Sequence, residues 1–426
     1  KNYIEDLDIH QIDFENGLRL NLKRTDFKAK EVLVGLVFGK GRKEEPEDKP
    51  GLSYLMSSVI NESGFGALTG QELKRALAGK STETSFDVEE NYFIFRGNTV
   101  TEEIPLLFQL LYAQLVDPAF RKEAYLLSME RFESMYANLS RSVEGGMRLS
   151  GNRFLAGGDS RFGLPEKERF LSLSLEDVSS WIHPLLENAP IEVSVVGDFQ
   201  VDNVIAAVAG SLGTLPSRDK VPGETRANGP SFPSSRSLDI PVDTQIQKAV
   251  VVVAYPTDDF WDIHKTRRFS ILSEVLSDRL RVTIREKMGA AYTSYAYNRP
   301  SRAHKGYGVL QAVVHADPGD MEKVTEEIQR IIDELVENGV RHEELKRAIG
   351  PTLTSIKELR QKNSYWLGSV LIGSKRHPQK IEWSRTFLKD YGSITIEDLN
   401  HLAKRYLVLP KSAEVTIRPM QVEAKL

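Results

Sequence analysis

The chain has 426 residues, 40% hydrophobic and 27% charged, which supports substantial buried cores and suggests two or three domains. Its 56 basic and 60 acidic residues leave a net charge of −4, so no basic footprint for nucleic acid is present. No apolar run approaches the roughly 18 residues needed to span a bilayer, and the absence of cysteine excludes disulfides, thiolate zinc sites and cysteine nucleophiles.

The first elements read as strands. His10–Phe14 leads through Glu15-Asn16-Gly17 into the alternating Leu18–Leu22, and Val32–Phe38 follows a polar loop. Residues 51–60 place Leu52, Leu55, Met56 and Val59 on one face of a helix. Strands are predicted at Thr82–Phe86 and Asn91–Gly97, and long amphipathic helices at 101–115 and 122–139.

Two later stretches match each other. Ser172-Leu-Ser-Leu-Glu-Asp-Val178 opens a helix and is followed by the strand Ile191–Val196. Ser393-Ile-Thr-Ile-Glu-Asp-Leu399 does the same before Ala413–Ile417. Shared order and residue type make this a tandem repeat. Between the copies, residues 216–241 carry five prolines and many Ser, Gly and charged residues, as expected of a linker. The predicted organisation is therefore a first repeat at 1–215, a linker at 216–241 and a second repeat at 242–426. Each repeat is expected to be α+β, a mostly antiparallel sheet with helices packed on one side.

The second repeat contains Arg285-Glu-Lys-Met-Gly289-Ala-Ala-Tyr292, where an amphipathic pattern starting at His264 gives way to an alternating run with Tyr292, Tyr295 and Tyr297. This is a helix end closed by Gly289 and handed to a strand. Two readings stand at this point. Arg285 is a solvated helix-end cation beside a half-buried Tyr292, or the guanidinium and phenol face one cleft, suited to polarising a carbonyl and holding its oxyanion.

The two repeats, the linker and the Arg-x6-Tyr spacing resemble the pitrilysin/insulinase family of inverted-zincin peptidases over nearly the whole chain. The resemblance implies that two such repeats form half of a clamshell. It also implies that one half holds zinc on a His-x-x-Glu-His helix, while the other supplies Arg and Tyr, here Arg285 and Tyr292. The stretch matching the zinc helix is Gly51-Leu52-Ser53-Tyr54-Leu55-Met56-Ser57-Ser58. Tyr54 and Ser58 stand where the histidines belong, and Ser57 where the glutamate belongs. Zinc needs imidazoles four residues apart and a carboxylate to activate its water; tyrosine and serine supply neither. None of the eight histidines forms an i,i+3 or i,i+4 pair. Glu123, Glu130 and Glu133 lie where the family's distal zinc glutamate falls, and without histidine partners they read as a solvated face.

The expectation is thus the non-zinc half of a zinc peptidase, inactive alone, holding no cofactor itself and enclosing a peptide or small protein with a zinc-bearing N-terminal half or partner subunit. A start at Lys1 rather than Met favours the C-terminal half of a longer polypeptide. A periplasmic or exported location fits a cysteine-free chain. The alternative, from a different class, is a non-catalytic scaffold or peptide-binding subunit.

Overall fold

The most apolar stretch, Ala249–Ala254, becomes the first six residues of the strand Ala249–Thr257, which is buried at every position but Pro256. A strand buried continuously needs cover on both faces of its sheet, and that requirement shapes the molecule. The structure is a computed structural model describing residues 1–218 and 229–420.

Among the described residues, twelve strands form two sheets. The first contains β1 (Asn2–Ile4), β2 (Ile9–Asp13), β3 (Arg19–Arg24), β4 (Glu31–Phe38), β5 (Glu83–Val88), β6 (Phe93–Val100) and β7 (Glu192–Gly197), in the order β1-β2-β3-β7-β4-β6-β5. The second contains β8 (Arg236–Val242), β9 (Ala249–Thr257), β10 (Ala291–Pro300), β11 (Gly308–Ala316) and β12 (Ala413–Pro419), in the order β10-β11-β9-β12-β8. Pairing is antiparallel except β3 with β7 and β12 with β8. The α+β class and the two mostly antiparallel sheets are as expected.

The chain divides into two compact units that are a different partition from the sequence repeats. The first comprises residues 1–131, 170–227 and 355–387; the second comprises 132–169, 228–354 and 388–426. In the first unit, the helices Leu52–Ser63 and Ile104–Val116 lie over β5 and β6. The opposite face is closed by Trp366, Leu367, Val370, Leu371 and Ile372, which pack with Ile9, Val37, Ile94 and Val196. In the second unit, the helices Ile263–Leu280, Met321–Asn338 and Ile396–Tyr406 cover one face through Leu272, Leu276, Ile328, Ile332 and Leu399. Val143, Leu155 and Ala156 cover the other, against Val250, Val252 and Val415. Helices dominate one side of each sheet, as predicted, and a short helical segment from the other repeat closes the second side.

Both closing segments contain a π-helical turn, Met147–Gly151 and Trp366–Leu371. Both also rely on a glycine for close approach. A Cβ at Gly146 would sit 2.8 Å from Ile417, and one at Gly35 only 2.6 Å from Ile372. The repeat is visible again in the caps. Ser174 and Asp177 form a capping box on the Leu175–Asn188 helix, and Thr395 and Asp398 form the same box on Ile396–Tyr406.

The stretch predicted as linker holds a strand. Residues 219–228 lie outside the described residues, but β8 occupies 236–242 and pairs in parallel with β12. Leu238, Ile240 and Val242 point one way and Ser237, Asp239 and Pro241 the other. That short alternation was hidden by the surrounding Pro and Ser content, and Pro241 is tolerated because β8 is an edge strand.

Candidate functional site

The Leu52–Ser63 helix starts on a buried carboxylate. Glu45 is 6% exposed and accepts from the N–H groups of Gly51 (3.2 Å) and Ser53 (2.7 Å), satisfying donors that a helix start leaves open. Burial pushes its pKa up, opposed by those same hydrogen bonds. Along the helix, every residue of the altered zinc motif is bound to protein. The Tyr54 hydroxyl accepts from Arg42 Nη1 at 3.0 Å, with the guanidinium 5.3 Å from the ring centroid. Ser57 Oγ donates toward Phe86 O (3.3 Å) and Asp87 Oδ1 (3.2 Å). Ser58 Oγ meets Ser128 Oγ at 2.8 Å. A guanidinium against Tyr54 and a pair of hydroxyls at Ser58 do not suit a divalent cation, so these residues do not fit zinc. Glu123, Glu130 and Glu133 are exposed, and it is Ser128 on their helix that reaches the motif. Among the described residues no group of three or more His, Cys, Asp or Glu is placed to hold a metal.

The second locus lies where the Ile263–Leu280 helix ends. The last turns, Arg281–Lys287, are π-helical, with Met288 N–H bonded to Thr283 O, and Gly289 follows at φ +64°. The helix is anchored from behind. Arg279 donates to both oxygens of Glu344 (3.0 and 2.9 Å) and to Gly339 O (2.7 Å). Burial would raise the Glu344 pKa, but the hydrogen bonds from Arg279 and Arg341 outweigh it and hold the carboxyl at about 2. In the π turn, Arg281 is paired with Asp278 at 2.6 Å and with Glu286. Arg285 is exposed, and among the described residues its side chain forms no ion pair or hydrogen bond.

Tyr292 opens the edge strand β10 and is 55% exposed. Ala291 pairs with Ala316 and Thr293 with His315, so Tyr292 is the extra residue of a β-bulge, a device that re-aims a side chain. Its hydroxyl donates to Asp317 Oδ1 at 2.6 Å, and that hydrogen bond raises the phenol pKa. Tyr292 is therefore joined to Asp317, and among the described residues no hydrogen bond or cation–π contact joins it to Arg285. Sequence reasoning missed Asp317. Its signal is the register of β10 on β11, which brings the residue after Ala316 beside the bulge. Tyr295 and Tyr297 stack with centroids 6.0 Å apart and extend an exposed aromatic edge.

Both helices also seal a neighbouring edge strand. Asn61 accepts from Phe86 N (2.7 Å) and donates to Phe86 O (2.8 Å) on β5. Ser277 accepts from Ala296 N (2.8 Å) and donates to Ala296 O (3.1 Å) on β10. Each side chain occupies main-chain groups that another strand would need.

Two α+β units make up the chain, with an altered zinc helix in one and an exposed Arg285 and Tyr292 in the other. Residues 172–350 match the peptidase M16 inactive domain. The chain is 22% identical to the chloroplastic stromal processing peptidase of Pisum sativum over 93% of this chain and 36% of that protein. It is 19% identical to the probable zinc protease PqqL of Haemophilus influenzae over 82% of this chain and 37% of that protein. It thus spans little more than a third of these relatives. The fold matches the peptidase M16 inactive domain from Pseudomonas fluorescens (TM-score 0.82, 15% identity, 99% of this chain and 100% of that one). It also matches the periplasmic protease PqqL from Escherichia coli (TM-score 0.82, 16% identity, 98% of this chain and 46% of that one). The ferredoxin protease FusC, solved as an E83A mutant with Arabidopsis ferredoxin, aligns with a TM-score of 0.80 at 17% identity, over 99% of this chain and 46% of that one. The chain is thus similar to M16 peptidases, with residues 172–350 matching their inactive domain. The resemblance drawn from its sequence is borne out.

Proposed function

We propose that this chain is the zinc-less half of a two-part zinc peptidase and supplies Arg285 and Tyr292 to an active site completed by a zinc-bearing half. The observation that carries the reading is a contrast in exposure. The altered zinc motif is engaged by protein groups, whereas Arg285 is unpaired among the described residues and Tyr292 stands out on a bulge. The partner half supplies the zinc and its water. Tyr292 donates to the scissile carbonyl oxygen as it becomes an oxyanion, and Arg285 anchors the substrate backbone. The substrate is a peptide or small protein, and an exported or periplasmic location is part of the proposal, supported by the periplasmic relative. No helix of the described residues is long and apolar enough to cross a membrane.

The test is Tyr292→Phe in the assembled enzyme. A lost oxyanion donor costs on the order of 10²–10³ in kcat, with KM little moved. Turnover near wild type removes Tyr292 from the mechanism. The scaffold reading has its own support in Tyr292 already having an acceptor in Asp317. It predicts that no zinc-bearing half from the same or a neighbouring reading frame restores peptide cleavage.

A further inference from the structure

The proposed role of Tyr292 meets a constraint of proton count. A phenol has one proton, and in the structure it is donated to Asp317. While that bond stands, Tyr292 offers a substrate only lone pairs. We infer that Asp317 is the positioning residue of Tyr292: it holds the hydroxyl at the strand entrance and withholds its proton from a substrate carbonyl until charge develops there.

This inference rests on the reading above and gives it a selectivity. A carboxylate is a charge-assisted acceptor, with a bond roughly twice as strong as one to a neutral oxygen. The neutral carbonyl of a bound peptide therefore does not win the proton from Asp317. The oxyanion formed by attack carries comparable charge and does. Tyr292 then turns from one acceptor to the other with its O–H bond intact, and no covalent bond changes. The exposure of Tyr292 keeps this exchange shallow, since solvent weakens the resting bond. An interaction made only as charge develops raises kcat rather than tightening substrate binding. The bulge supports the arrangement by fixing the ring beside Asp317, which begins the turn into the Met321–Asn338 helix.

The experiment compares Asp317→Asn, Tyr292→Phe and the double variant in the assembled enzyme. Asparagine keeps the size and an acceptor oxygen but removes the charge, so the phenol becomes free to bind the ground-state carbonyl. KM is expected to fall about three- to tenfold, with kcat within about twofold of wild type. In the Tyr292→Phe background, Asp317→Asn is expected to change neither. An unchanged KM, or a fall that persists in the phenylalanine background, overturns the inference while leaving Tyr292 in the mechanism. Wild-type turnover for Tyr292→Phe alone overturns the parent reading instead. A readout independent of turnover is NMR titration of the Tyr292 ring in this chain. Its pKa should drop on Asp317→Asn, and an unmoved value overturns the inference.

Discussion

The Leu52–Ser63 and Ile263–Leu280 helices do the same work in their units and end with opposite characters. Each packs an apolar face on its sheet and ties down a central residue of the edge strand, Phe86 through Asn61 and Ala296 through Ser277. The first helix then spends its polar residues on protein: Tyr54 on Arg42, Ser57 on β5, Ser58 on Ser128. The second runs into a π turn and a bulge that leave Arg285 and Tyr292 outside. Polar groups satisfied internally contribute to folding, whereas exposed groups held in place by a rigid scaffold are available to a ligand.

The contrast can be broken at graded strengths. Glu344→Ala strips the buried partner from Arg279 and is expected to destabilise the chain by about 3–5 kcal/mol in chemical denaturation. The same carboxyl gives a pH signature. Its folded pKa of about 2 lies below the ordinary 4.5, so its stabilisation is present above about 4.5 and is lost as pH falls toward 2. Denaturation midpoints measured across that window should fall less in Glu344→Gln than in the wild type. Tyr292→Phe comes next, with its loss confined to kcat and the thermal midpoint unmoved. Asn61→Ala removes two main-chain partners from Phe86 and is expected to cost about 1–3 kcal/mol of stability while kcat per folded molecule stays unchanged. The smallest effect belongs to Ser58 and Ser128. Either alanine variant should cost about 1 kcal/mol, and the double variant less than the sum, because removing both partners leaves no orphan. A kcat effect from either of these last two sites would erase the distinction between the helices.

Much of this was legible in the sequence, and the failures share a cause. Strands such as Ala249–Ala254 and Val32–Phe38 announced themselves by apolar runs. The paired helix starts at Ser174 and Thr395 announced the repeat through capping chemistry that is local by nature. The altered zinc motif needed only a four-residue spacing. What escaped was non-local. Nothing in the periodicity of residues 355–387 says that Trp366 packs beside Ile94, and nothing within Arg281–Lys287 distinguishes a π from an α turn. Asp317 lies on the next strand's exit and becomes visible only once β10 and β11 are in register. The strand at 236–242 was masked by composition.

The interleaving of chain segments has a consequence for synthesis. Residues 1–100 contain six of the seven strands of the first sheet, yet the side chains that close its second face arrive only with Tyr365–Ile372. On the ribosome, Ile9, Val37 and Ile94 are made before the residues that cover them and must wait, uncovered, while residues 101–364 are added. Neither repeat is a portable module, and a cut between them would leave each product with a bare apolar sheet face exposed to aggregation. Fusion, truncation or circular rearrangement of this chain has to respect that order of birth.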